Sequence, residues 1–151
     1  MAIDLWLLRH GQAEPHGLKP DAERELTADG REQSLAAGRA LAALGIDFDV
    51  VYASPKVRAW DTAALACEAL AIEPTLHESL AYGVEAREAR ALVAGGRVLL
   101  VGHDPYLSQI VFDATGARVQ MAKGGVAGIR SPSPGELAVL LRPAELRRIA
   151  G

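Results

Sequence analysis

Apolar residues fall in short blocks along this chain, and polar residues cut each block off. Ile3 to Leu8, apolar but for Asp4, runs straight into Arg9-His10-Gly11. A run this short, bounded by polar residues, predicts a buried strand. "FDVVYAS" repeats the design and ends in Ser54, Pro55 and Lys56, and "RVLLVGHDP" repeats it again, ending in His103 and Asp104. Near the end, "GVAGIRS" and "GELAVLLR" predict two more strands separated by the proline turn "SPSPG".

Between the strands the apolar spacing lengthens to that of helices. One helix is expected from near Ala28 to Gly30, with Thr27 as its N-cap and Leu35, Leu41 and Leu44 on its apolar face, ended by Gly45. A second, "KVRAWDTAALACEALAI", runs to about Ala71, with Pro55 suited to its first turn. "GVEAREARALVAG", closed by Gly95-Gly96, and "PYLSQIVFDATG" predict two more. The polar stretch "EPHGLKPDAERELTADG", with its prolines and glycines, reads as a loop.

Strands alternating with helices predict an α/β fold, a three-layer α/β/α sandwich around a mostly parallel sheet. Polar clusters that follow such strands lie at strand C-terminal ends, where open α/β sheets place their ligands. "LRHGQAE", "YASPKVRAWDTA" and "LVGHDPYLS" are therefore expected to converge on one crevice.

Composition narrows the rest. A length of 151 residues fits one domain, residues 1–151, without staples. A net charge of −3 gives no electrostatic reason to expect nucleic acid or an anionic membrane as partner. The lone Cys67 excludes an internal disulfide and reads as a small buried hydrophobe. There is no basic leader and no apolar run long enough to span a membrane, so a cytoplasmic protein is expected. His16 and His77 read as surface residues. The four histidines show no zinc-ligand spacing, and no metal or other cofactor is expected.

The converging clusters bring Arg9, His10, Arg58 and His103 to one rim. Guanidiniums give planar, permanently charged donors suited to a phosphoryl group. An imidazole attacks phosphorus or carries a proton near neutral pH. Gly11 lets the backbone approach a bound anion. The set fits a dianionic tetrahedral group. Lys56 reads as a solvated charge, Trp60 as packing, Ser54 as a turn former, and Lys123-Gly124-Gly125 as a hairpin entry.

"LRHGQAE", "SPKVRAWDTA" and "VGHDP", in that order, resemble the three signatures of the histidine phosphatase superfamily, to which the phosphoglycerate mutases belong. The short length, the segment "DAERELTADGREQ" and the absence of a large insertion before "VGHDP" resemble its SixA-type phosphohistidine phosphatase branch. The resemblance implies a phosphoglycerate mutase-like fold, His10 as nucleophile through a phosphohistidine intermediate, and Arg9, Arg58 and His103 as holders of the phosphoryl oxygens, without metal. It implies backbone N–H groups of Gly11, Gln12 and Ala13 lining the pocket. For the general acid it offers Glu78, in "PTLHESLAYG", with Asp21 as rival, or no acid at all if the leaving group is a phosphohistidine nitrogen. Asp21 and Arg24 are also candidate substrate contacts. The expected partner is a phosphorylated protein, such as a histidine phosphotransfer domain, or a small phosphorylated metabolite. A non-catalytic phospho-ligand module is the third reading.

Overall fold

The computed structural model of the chain describes residues 2–94, 96–131 and 134–151. Its sheet holds β1 (Ile3–Arg9), β2 (Val50–Ala53), β3 (Pro74–Leu76), β4 (Val98–Gly102), β5 (Val126–Arg130) and β6 (Glu136–Leu141). They lie in the order β3-β2-β4-β1-β5-β6. β1 to β4 pair in parallel, and β5 is antiparallel to both of its neighbours, so β5 alone runs against the rest. Among the described residues lie five helices: α1 (Ala28–Ala43), α2 (Val57–Leu70), α3 (Ala86–Val93), α4 (Tyr106–Thr115) and α5 (Pro143–Ala150).

Strand alternation splits the core in two. Leu5, Leu7, Val98 and Leu100 face α3 and α4, where Ala89, Leu107, Ile110 and Val111 meet them. Trp6, Leu8, Leu99 and Val101 face the other way, onto Ala37, Ala40 and Leu41 of α1, Ala63 and Ala66 of α2, and Leu146 of α5. The central strands are thus buried on both faces, which is why they read as unbroken apolar blocks. Each large apolar side chain buried this way contributes about 1.5–3 kcal/mol of transfer free energy. Small residues at the facing positions of α1 and α2 let those two helices pack closely against the sheet. The three-layer sandwich with a mostly parallel sheet stands as expected.

Thr27 caps α1 as its sequence position implies, its side chain accepting from the Gly30 N–H at 3.1 Å. Pro55 lies just outside α2, whose N-cap is Lys56. α3 ends at Ala94, held at a left-handed φ of 45°. Gly95, and Pro132 and Ser133 of the proline turn, lie outside the described residues.

Two elements went unforeseen. β3 has only three residues and sits half-exposed at the sheet edge, so no apolar block marks it. α5 buries only Leu146, and its local signal was capping: Pro143 in the first turn and a reciprocal Arg142–Glu145 box. Short 3-10 turns also occur at Asp21–Glu23 and Glu78–Ala81. Cys67 is buried as expected, and burial pushes its thiol up to about 11. Among the described residues no helix is long and apolar enough to cross a membrane.

Candidate active site

The sheet order places β4 between β2 and β1, so the third polar cluster lies between the other two. Backbone bonds join the three ends. The His10 N–H donates to the Gly102 carbonyl at 3.0 Å, and the Ser54 N–H donates to the Val101 carbonyl at 3.1 Å. His10, Arg58 and His103, brought from distant parts of the chain, are each buried. The rings of His10 and His103 lie 5.2 Å apart between centroids.

His10 is held as a nucleophile needs to be. Its Nδ1 lies 2.7 Å from the carbonyl oxygen of Gly11. A carbonyl only accepts, so Nδ1 carries the proton and Nε2 keeps its lone pair. Burial lowers its pKa to about 4, helped by the charges of Arg58, Arg9 and Lys123 and opposed by the Gly11 bond. The ring is therefore neutral at pH 7. His103 is lowered further, to about 3, by burial first and then by His10, Arg58 and Lys56. Its Nε2 shares a hydrogen bond with Ser54 Oγ at 2.8 Å, and that oxygen also accepts the Lys56 N–H at 3.2 Å. Ser54 both shapes its turn and orients the imidazole.

The arginines are held differently. Arg9 donates from Nη1 to the Met121 carbonyl at 2.7 Å. Arg58 donates from Nη1 to the Asp21 carbonyl at 2.7 Å and from Nη2 to the Asp21 carboxylate at 3.3 Å. Arg9 Nε, Arg58 Nε and His103 Nδ1 are buried without a hydrogen-bond partner among the described residues. Buried polar atoms left unpaired are costly, and these three belong to residues that the adjoining strand ends carry, while His77 Nδ1 and Arg90 Nε are likewise buried and unpaired among the described residues.

Asp21 is a hub. Its carboxylate meets Lys56 at 3.0 Å, Arg58 at 3.3 Å and Arg24 at 3.1 Å. The Lys56 ammonium first, and Arg58 with it, hold that carboxyl well below the usual carboxylate range. It has no proton to give near neutral pH, which removes Asp21 as a general acid. Lys56 is accordingly an ion-pair partner rather than a solvated charge. Arg24 is buried and reaches Asp21 and the Glu14 carbonyl, and so anchors the loop. Glu78 is exposed on its 3-10 turn, with no hydrogen bond or ion pair to another described residue.

Of the N–H groups expected to line the pocket, two are taken up within the chain. That of Gly11 donates to Thr62 Oγ1 at 3.1 Å, and that of Gln12 to Gln33 Oε1 at 2.9 Å. The Gln12 side chain accepts from Thr27 Oγ1 at 2.9 Å, and Ala13 forms a bridge to Leu26. Gly11 is required by packing: a Cβ there would lie 2.5 Å from the Gly30 carbonyl oxygen at the start of α1. The close approach is between two backbones of the chain. Thr62, four residues beyond Arg58 on α2, also donates to the Arg58 carbonyl at 2.7 Å. Its helical spacing inside "SPKVRAWDTA" was the available signal for that joint. Lys123 lies near enough to act on His10, and the Gly124 N–H bonds to the Arg9 and His10 carbonyls at 3.0 and 2.9 Å. That segment is part of the rim, not only a hairpin entry.

A family model described as "Histidine phosphatase superfamily (branch 1)" matches residues 5–81, which carry the first two clusters. The chain belongs to the histidine phosphatase superfamily. It is a phosphatase. An uncharacterized protein of Picosynechococcus sp. is 31% identical, over 85% of this chain and 86% of its own length. The fold is also that of the protein histidine phosphatase SixA complexed with tungstate, with a TM-score of 0.83 at 19% identity, over 94% of this chain and 98% of that one. Phosphoserine phosphatase of Entamoeba histolytica in complex with 3-phosphoglyceric acid gives 0.67 at 15% identity, over 91% and 95%. The family model stops short of "VGHDP", and the structural likeness extends over the rest of this histidine phosphatase. Among its described residues no group of three or more His, Cys, Asp or Glu is placed to hold a metal ion.

Proposed function

We propose that this chain removes the phosphoryl group from phosphohistidine on a carrier or signalling protein, with His10 as nucleophile. The observation that carries the reading is the free Nε2 of a neutral, buried His10 among the unpaired nitrogens of Arg9, Arg58 and His103. The lone pair of Nε2 attacks phosphorus in line with the bond to the substrate's imidazole nitrogen. That P–N bond breaks as the new one forms, and the departing nitrogen takes the electron pair and a proton from solvent. Water then attacks the phosphorus, the bond to His10 breaks back onto Nε2, and the surplus proton leaves with solvent as inorganic phosphate is released. Arg9, Arg58 and His103 hold the phosphoryl oxygens throughout, fixed in advance of the reaction.

The acid side of the site supports phosphohistidine over an ester. Alkoxide departure needs a proton donor. Asp21 is held ionised, and Glu78 stands exposed with no partner. An imidazole nitrogen is easier to expel, because its ring takes the needed proton from solvent. The likeness to SixA, named a protein histidine phosphatase, agrees with this reading.

A small phosphomonoester is the second reading. A cavity of about 700 Å³ opens beside Arg9, lined by Ser108, Gln109, Phe112 and Arg118 among others, within the size range of metabolite sites. Wild type and His10→Ala, assayed on a phosphorylated histidine phosphotransfer domain and on an aryl phosphate, separate the two. Fast release from the carrier with slow ester cleavage supports the first; an inert carrier with fast ester cleavage overturns it.

A further inference from the structure

We propose that Asp104 and Ser108 are positioning residues that set the Arg9 guanidinium through Met121. The role rests on the phosphatase reading, in which Arg9 holds a phosphoryl oxygen.

Arg9 ends β1, so the sheet fixes its backbone and leaves its long side chain to be held by something else. What holds it is the Met121 carbonyl, 112 residues away in sequence, at 2.7 Å. Met121 is itself gripped from its other side. Its N–H donates to Ser108 Oγ at 3.0 Å. The Ser108 hydroxyl spends its one proton on Asp104 Oδ2 at 2.6 Å, leaving its lone pairs for Met121. The Ser108 N–H donates to the second carboxylate oxygen, Oδ1, at 3.0 Å. The direction of every bond is therefore determined, from Met121 to hydroxyl to carboxylate on one side and from guanidinium to Met121 on the other.

Capping α4 needs only the bond from the Ser108 N–H to Oδ1. The second oxygen, the hydroxyl and the buried Met121 extend beyond the helix and end on Arg9. The short Ser108–Asp104 contact is charge-assisted and is the firmest link of the run. Without the hydroxyl, the Met121 N–H would lose its acceptor, and the Met121 backbone would shift to find another. Its carbonyl would then move from under Arg9. Asp104 directly follows His103, so one strand end would orient two phosphoryl holders, the imidazole by its own backbone and Arg9 through this run.

The test uses orthovanadate, a tetrahedral oxyanion, as the binding probe and an aryl phosphate for turnover. Ser108→Ala is expected to raise the vanadate Kd and the KM by about five- to tenfold, the worth of one buried hydrogen bond. Ser108→Thr, which keeps the hydroxyl, should restore most of the loss. In an Arg9→Ala background, Ser108→Ala should change the Kd less than about twofold, because its route to the anion is gone. Asp104→Asn, read in the same two backgrounds, gives an independent measure should Ser108→Ala fold poorly. Equal losses with and without Arg9, or no loss at all, overturn the relay. A wild type that binds no vanadate overturns the phosphatase reading, and the relay with it.

Discussion

The two arginines of the site sit on opposite walls and are held by opposite means. Arg58 donates to the Asp21 carbonyl and also leans on the Asp21 carboxylate, a charged partner whose side chain is 44% exposed and shared with Lys56 and Arg24. Arg9 leans on the Met121 carbonyl, a neutral backbone group. A guanidinium beside a carboxylate has part of its field cancelled before any substrate arrives, whereas one beside a carbonyl keeps its charge. Equal residue types thus deliver unequal charge to a bound phosphoryl group. Arg9 keeps its charge undivided, whereas the charge of Arg58, the larger of the two in its effect on His10, is partly offset by Asp21.

The largest effect expected is that of His10→Ala, which leaves both walls intact. Turnover should fall at least about a thousandfold, as for loss of a covalent nucleophile, while vanadate still binds by calorimetry. Unchanged turnover would end the nucleophile assignment. Next come the arginines themselves. Each alanine substitution should cut kcat/KM about a hundredfold or more, with Arg9→Ala losing more vanadate affinity than Arg58→Ala. The reverse order would refute the inequality of the walls.

The two imidazoles between the walls provide a pH test. Both pKa values are depressed below the ordinary 6.5, to about 4 for His10 and about 3 for His103. Between those values and 6.5 the unfolded chain binds more protons than the folded one, so stability falls as pH drops through that window. Denaturant titrations should show the loss, and a His103→Gln variant should show less of it. Imidazole C–H signals that remain neutral at pH 5 in NMR would confirm the cause.

Smaller effects belong to the Asp21 wall. Asp21→Asn releases the full charge of Arg58, so vanadate should bind about two- to fivefold tighter. Stability should drop by only about 1 kcal/mol, since the carboxylate is well exposed and its ion pairs are screened. The gain in binding should vanish in an Arg58→Ala background. Lys56→Ala should move stability by about 0.5 kcal/mol or less.

Much of this site was legible in the residues before any coordinates. Apolar blocks set the strands, and the polar residue following each block had to lie at the same sheet edge, which named Arg9, His10, Arg58 and His103 together. The residues that failed were those whose role depends on a partner far along the chain. Gly11 gave no sign in the sequence of its backbone packing against Gly30. Asp21 and Arg24 read as candidate substrate contacts and Lys56 as a solvated charge, and nothing in the sequence showed that the three form one ion-pair hub. Ser54 gave no hint of the bond it makes to His103, and Thr62 only its helical spacing from Arg58.

The division has a physical basis. Hydrophobic periodicity and strand ends are local properties, written in consecutive residues and imposed by burial whatever the remainder of the chain does. They determined by themselves the α/β sandwich, the buried central strands and the composition of the rim. Which donor meets which acceptor is decided only when strands from distant parts of the chain lie side by side. That step gave Arg58 a carboxylate as well as a carbonyl and gave Arg9 a carbonyl alone, and so decided how much charge each presents to the phosphoryl group.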